Sequence, residues 1–208
     1  LAFNGFVKGV YSEHAMPGFG INLTVDNGNF KYPSLPAAIN NVNLKLAVSN
    51  PDGEPDHTII NLSKAHAELG AEPIDARLYV TTPVSNATFD AMLKGTVNLA
   101  NIKNYIPMDE PSLSGIFKSD LSISGNMNAV EQKQFEKIKA AGWMSLTAMN
   151  YKPKDGHTTK INEMKLSFNP RTVQLENLDA VVGKSDFRAK GVIDNLLGYY
   201  FKKEFVLF

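Results

Sequence analysis

Apolar and polar positions alternate along most of the chain with a period of two, the spacing of strands that bury one face. Phe19, Ile21, Leu23 and Val25 alternate with Gly20, Asn22, Thr24 and Asp26. Asn27-Gly28 follows and predicts a tight hairpin turn, since this pair supplies the positive φ angles such a turn needs, with Phe30 and Tyr32 beyond it. Val42, Leu44, Leu46 and Val48 repeat the pattern, Pro51-Asp52-Gly53 marks a turn, and Ile59 to Ala67 and Ile74 to Val80 read as further strands. Phe89, Ala91, Leu93, Gly95, Val97 and Leu99 make one long strand, and Phe117, Ser119, Leu121 and Ile123 another. Later strands are read at Leu146 to Tyr151, Met164 to Phe168, Val173-Leu175, Leu178 to Val182 and Phe187 to Ile193. The fold class is therefore mainly β: about a dozen strands in a curved antiparallel β-meander, shaped as a half-barrel or groove or closed into a sandwich.

One amphipathic helix is predicted at about Ala129 to Ala141. Asn128 is the expected N-cap, Glu131 completes a capping box, Val130, Phe135 and Ile138 form an apolar stripe, and Gly142 ends it. Such a helix between two blocks of strands is expected to plug the end of a sheet, with Trp143, Met144, Leu146 and Met149 packed behind it. Shorter helical turns are expected at Leu35 to Ile39, Ile102 to Ile106 and Asn195 to Phe201.

The chain reads as one β-rich domain with two repeat-like units, about 19–125 and 143–208. Ile39-Asn40-Asn41-Val42-Asn43-Leu44 resembles Ile161-Asn162-Glu163-Met164-Lys165-Leu166, and each soon meets Asn-Pro, at Asn50-Pro51 and Asn169-Pro170. Ile60 through Gly70 then matches Val173 through Gly183, and Lys94-Gly95 echoes Lys190-Gly191. The ends, Leu1 at the start and Phe205 to Phe208 in mid-pattern, are read as those of a segment of a longer protein.

Composition narrows the function classes. With 21 basic and 21 acidic residues the net charge is zero, which speaks against a charge-driven nucleic-acid binder. An apolar fraction of 43% speaks against wholesale disorder. No cysteine is present, so disulfides, thiolate metal sites and cysteine nucleophiles are excluded. No apolar run approaches the ~18 residues of a membrane-spanning helix. His14, His57, His66 and His157 show no metal-ligand spacing, and no Gly-x-Ser-x-Gly elbow accompanies them. The adjacent acids Asp109-Glu110, between Pro107 and Pro111, read as a loop surface. Sequons at Asn22, Asn61 and Asn86 are about as many as 20 Asn and 23 Ser plus Thr give by chance. The expectation is a protein that is not an enzyme and needs no metal or cofactor.

Two stretches carry a resemblance: Gly20 to Gly53 (GINLTVDNGNFKYPSLPAAINNVNLKLAVSNPDG) and Ile161 to Phe201 (INEMKLSFNPRTVQLENLDAVVGKSDFRAKGVIDNLLGYYF). Each resembles the AsmA family of bacterial envelope proteins, relatives of TamB and of the chorein-type lipid-bridge proteins. The matching elements in the second stretch are Leu175, Asn177, Leu178, Gly183, Ser185, Asp186, Gly191, Ile193, Asn195 and Leu196. The resemblance implies a periplasmic segment of a parent anchored in the inner membrane of a Gram-negative bacterium. It also implies support of outer-membrane assembly, a concave apolar face carrying phospholipid acyl chains, and unidentified envelope partners. The usual N-terminal membrane helix is missing from the pattern, as expected of an excised segment. Candidate groove residues are Ile21, Leu23, Val25, Leu44, Leu46, Leu93, Val97, Leu121, Ile123, Leu166 and Phe168. The competing expectation is an adhesin-like β-sandwich that recognises a protein partner through loops such as Pro51 to His57.

Overall fold

A computed structural model describes residues 1–11, 16–107, 112–132, 134, 137–153, 156–169 and 172–193. Eleven strands follow one another in chain order: β1 (Ala2–Lys8), β2 (Gly18–Phe30), β3 (Ile39–Asn50), β4 (Ile59–Leu69), β5 (Glu72–Thr81), β6 (Thr88–Asn98), β7 (Leu113–Asn126), β8 (Lys139–Tyr151), β9 (Thr159–Phe168), β10 (Val173–Val182) and β11 (Ser185–Ile193). All belong to one sheet whose spatial order is the sequence order, and every neighbouring pair is antiparallel. The mainly β, antiparallel meander expected from the alternation is what the chain forms. The sheet is not closed, and among the described residues no second sheet lies over it, so the sandwich arrangement is set aside.

The connections bend and brace this single layer. At one end, the Ala37 amide donates to the Asn104 carbonyl at 3.0 Å, joining the β2–β3 loop to the 3-10 turn Leu99–Asn104 after β6. In a flat sheet β3 and β6 lie about 14 Å apart, three strand spacings, so these loops reach toward each other above the β4–β5 turn. There a methyl group built on Gly70 would stand 3.0 Å from the Tyr105 hydroxyl. At the other end, the Val84 and Ser85 amides both donate to Asp56 Oδ1 at 2.9 Å. The Met127 and Asn128 amides reach back to the Ala87 carbonyl and the Asn86 side chain.

Three expectations are corrected. The helix is one turn and a half, α1 (Met127–Glu131), not Ala129 to Ala141, and its N-cap is Asn126, whose side chain accepts from the Ala129 amide at 2.9 Å. Lys139 already belongs to β8, because a strand there pairs with the whole length of β7. Ala129, Val130 and Ile138 are buried against Phe89 and Ile123, so the expected plug exists with a smaller helix. Phe135 lies outside the described residues, and Gly142 stands in mid-strand.

Asn27-Gly28 makes no hairpin. Asn27 does adopt a positive φ, 48°, but within β2, where the register slips between Val25 and Gly28. The Asn27 amide, displaced from the ladder by this bulge, donates to Asn43 Oδ1 at 3.2 Å. Positive φ serves a bulge as well as a turn, and the side chain opposite decides between them. Trp143 is not packed behind a helix either. It pairs with Asp120 and Ser167 and is 37% exposed.

Of the short turns, Ile102 to Ile106 overlaps the 3-10 turn, Leu35 to Ile39 holds no helix, and Asn195 to Phe201 lies outside the described residues. The repeat correspondence places Asn50-Pro51 after β3 and Asn169-Pro170 after β9, with Gly70 and Gly183 ending β4 and β10. The Lys-Gly pairs do not correspond in position, being two strands beyond Gly70 on β6 but one beyond Gly183 on β11.

Gly142 has φ +118°, and a Cβ there would drive into the Asp120 carbonyl oxygen on β7. Gly142→Ala is expected to cost about 3 kcal/mol or more by urea unfolding, for strain plus backbone collision. Gly191→Ala on edge strand β11 meets open space and is expected to stay within about 0.5 kcal/mol of the parent.

Candidate functional site: an uncovered apolar sheet face

Residues directly opposite each other in an antiparallel pair project from the same face. Following the register strand by strand therefore maps both faces. Phe3 opposes Leu23, Leu23 opposes Leu46, and the row continues through Leu62, Leu78 and Ala91 to Ile123 on β7 and Ala140 on β8. A second row runs Val25, Leu44, Ala65, Ala76, Leu93 and Leu121, then through Gly142 to Phe168 and Val173. A third joins Val97, Phe117, Leu146, Met164 and Leu178. Shifted by one residue, the opposite face reads Asn4, Asn22, Ala47, Asn61, Tyr79, Asp90, Ser124 and Lys139.

All eleven groove candidates fall on the apolar face. Ile21 opposes Val48 in the same set, and Leu166 joins through Met144 and Ser119. Ser119 is a polar residue on this face and is buried, but its hydroxyl donates to the Leu93 carbonyl at 3.1 Å. Among the described residues, the buried apolar side chains are Ala129, Val130, Ile138, Leu166 and Ala180. Leu166 is 8% exposed, whereas Leu93 is 38% and Ile21 37%. The face is thus half-sheltered over most of its extent, buried where α1 and Ile138 close on β6 and β7 and at Ser119, Leu166 and Ala180.

The face is widest open at β1. Phe3 and Val7 are 69% and 73% exposed, and they join Phe19, Ile21, Met16 and Tyr11 around a concavity of about 680 Å³. Phe6 and Gly20 also line it, and the exposed Phe6 ring lies over Gly20.

Ile60, Leu62, Leu78, Phe117 and Leu146 lie in strands read from the sequence but not among the groove candidates, and the register adds them to the same face. The signal was present but interrupted. In β4 the apolar positions run Ile60, Leu62 and then Ala65, Ala67, because the register slips at Ser63-Lys64. In β10 a slip between Leu175 and Leu178 made one strand look like two.

The polar face carries ordinary surface chemistry. His66 Nδ1 lies 2.7 Å from Asp75 Oδ1, and Asn41 Nδ2 donates to Glu68 Oε1 at 2.9 Å and lies 3.2 Å from His66 Nε2, tying β3, β4 and β5 together. Lys94 pairs with Asp120 at 2.7 Å. Sequence reading missed the His66 cluster, since its members are up to 34 residues apart in the numbering from Asn41 to Asp75. Among the described residues no group of three or more His, Asp or Glu is placed to hold a metal ion. His14 and Asp109-Glu110 lie outside the described residues.

The Pro51 to His57 loop is tied down from within. Asn50 is 2% exposed, and its Nδ2 donates to the Glu54 carbonyl at 2.7 Å and to Thr58 Oγ1 at 2.9 Å. Its Oδ1 accepts from the amides of Asp52 and Gly53. The hydrogen bond from His57, 2.7 Å away, and the Glu54 amide hold the Asp52 carboxyl below its ordinary value, and Asp52 in turn raises His57. Asp56 is lowered chiefly by the Ser85 hydroxyl and amide. These polar groups are spent on the loop itself, which leaves few for a partner.

No protein-family model matches the chain, and no curated protein or solved structure was found to match it.

Two outcomes follow for this loop. Asn50→Ala leaves the part-buried Asp52 and Gly53 amides, the Glu54 carbonyl and the Thr58 hydroxyl without their partner and is expected to cost about 2 kcal/mol in urea unfolding. The Asp52–His57 pair contributes above the ordinary carboxylate value of 3.8 and below the ordinary imidazole value of 6.5. Its contribution fades as pH rises through the raised histidine value or falls through the lowered aspartate value. The difference in urea midpoint between the parent and His57→Gln is expected to be largest inside that window and to close as pH rises past the raised histidine value.

Proposed function

We propose that this chain is a non-enzymatic segment of an AsmA-like envelope protein that shields or conducts phospholipid acyl chains along its apolar face. In this reading it works in the periplasm of a Gram-negative bacterium, within a parent anchored in the inner membrane, and supports outer-membrane assembly. The observation that carries the reading is the set of apolar rows continuous across the sheet with no second layer upon them. Monomeric proteins rarely leave so large an apolar surface without an occupant.

Acyl chains suit this surface for physical reasons. They need no hydrogen bonds, and the apolar rows offer few. Each buried methylene contributes about 0.8 kcal/mol, so a dozen along the groove give on the order of 10 kcal/mol before the losses of binding. Ten strand spacings give about 48 Å of arc from β1 to β11, long enough for chains to lie end to end across the strands. The polar face keeps the outside wettable. The adhesin-like alternative loses its main support, because it needs the apolar faces packed on each other and a loop with free polar groups.

The test is native mass spectrometry of the protein purified from bacterial periplasm, with lipid extraction of the same sample. Phospholipid bound to the 22.8 kDa chain is the expected result. Leu23→Asp and Leu46→Asp alter directly opposed, half-exposed positions. Both are expected to stay folded by circular dichroism and to lose the lipid. A bare chain mass, with no uptake of a hydrophobic dye by the native protein, overturns the reading. Leu166→Asp places a carboxylate where the parent side chain is 8% exposed, and is expected to cost about 3 kcal/mol or more in stability.

A further inference from the structure

We propose that the polar face of the sheet carries an anion site, in which Lys45, Lys64 and Arg77 bind one phosphate group with the help of the Ser63 hydroxyl. The inference stands apart from the lipid reading, since it uses the opposite face and none of the groove residues.

The register sets these cations side by side in mid-sheet. Lys45 on β3 stands directly opposite Lys64 on β4. On the other side of β4 the register steps from Leu62–Leu78 to Ala65–Ala76. Ser63 and Lys64 therefore face Arg77 alone, the two-against-one count of a β-bulge. Leu62 and Ala65 both belong to the apolar face, opposite Leu46 and Leu44, so the two residues between them turn to the polar one. At strand spacings of about 5 Å the three cationic positions span about 10 Å, a distance that side chains of this length close easily. All four residues are exposed.

Like charges directly opposite each other in a sheet are unfavourable. Two such pairs occur among the described strands, Lys45–Lys64 and Glu163–Asp179. The acidic pair is relieved by its surroundings: Asn177 Nδ2 donates to Glu163 Oε2 at 2.8 Å, and Arg188 lies 4.0 Å from Asp179. The basic pair has no such relief. Among the described residues no side chain forms an ion pair or hydrogen bond with the Lys45, Lys64 or Arg77 head groups. Asp75, two residues along β5 from Arg77, is engaged by His66 Nδ1 at 2.7 Å. An anion from outside the chain supplies the missing countercharge.

The patch is bounded, and its size selects the ligand. Thr24 follows Lys45 on one side, and Met92 and then Ser122 follow Arg77 on the other. A nucleic acid needs a longer basic stripe. Three cations suit a single phosphate monoester, which carries roughly −1.5 to −2 charge at pH 7. Arg77 offers a planar fork to two phosphate oxygens, and the lysines act as point charges. Ser63 Oγ reaches the Lys45 carbonyl only at 3.4 Å, a long hydrogen bond that a phosphate oxygen displaces readily. The same chemistry is presented by a soluble phosphate ester and by the headgroups of an anionic lipid surface.

The experiment is a titration of the isotope-labelled chain with inorganic phosphate at constant ionic strength, followed by amide resonances. Saturable shifts centred on Lys45, Ser63, Lys64 and Arg77 are expected, and K45Q/K64Q/R77Q is expected to lose them. That variant also removes repulsion, so its urea midpoint is expected to equal or exceed the parent's, which separates lost binding from lost fold. K31Q/K118Q/K160Q removes the same charge from exposed lysines elsewhere and is expected to keep the response. Sedimentation with phosphatidylcholine vesicles containing phosphatidylglycerol separates the sources. Pelleting of the parent but not of K45Q/K64Q/R77Q assigns the site to a lipid surface, and a phosphate response without pelleting assigns it to a soluble ester. Phospholipid held on the apolar face is expected to stay with both variants, so the two readings fail independently. A parent without saturable shifts, a response that K45Q/K64Q/R77Q retains, or an equal loss in both variants overturns the proposal.

Discussion

Backbone hydrogen bonding between successive antiparallel strands carries an unusual share of this structure, because among the described residues only α1 and Ile138 pack over the sheet. In most β proteins two faces bury each other and the core fixes the register from both sides. Here the apolar rows are continuous only because each strand keeps its phase with the next, and a slip of one residue would turn a strand's leucines to the polar side. Bulges near Asn27, Asn41, Lys64, Ala148, Asn162 and Glu176 are among the places where phase is adjusted. They let strands of uneven length stay in step, and they bend the sheet where they occur.

The loops do what a second layer would otherwise do. At one end the contact from Ala37 to Asn104 spans the β4–β5 hairpin, and at the other Asp56 links the β3–β4 and β5–β6 connections. Ile138 and α1 close over Phe89 and Ile123, where Gly125 leaves room for the Ile138 side chain. Polar side chains in these regions are consumed by the chain itself. Asn50 alone serves four partners, and His66 is held between Asp75 and Asn41. Those groups are already hydrogen-bonded within the chain, whereas the apolar face stays half-exposed.

The two faces of the one sheet contrast sharply. The polar side carries ion pairs such as Lys94–Asp120 that contribute little energy but keep the surface in water. The apolar side is half-sheltered, too exposed to be a finished core and too continuous to be incidental. An occupant that is flexible, apolar and indifferent to hydrogen bonding fits such a surface, and an acyl chain meets all three conditions.

The sequence by itself determined that the chain is built of strands, where most of them run, and which residues share a face within each. Alternation at Ile21, Leu23 and Val25 or at Leu44 and Leu46 is a local property, fixed by the two-residue repeat of an extended backbone. It failed where the period was broken: at Asn27-Gly28, where a bulge uses the same φ as a turn, and at Val130 to Ile138, where a capping pattern promised a helix. There α1 ends at Glu131 and Lys139 already pairs as the start of β8. Only the tertiary structure decided whether the rows from different strands line up on one face, and whether anything covers them. Those outcomes depend on register and closure, which arise from hydrogen bonds between residues distant along the chain and leave no mark on any single strand.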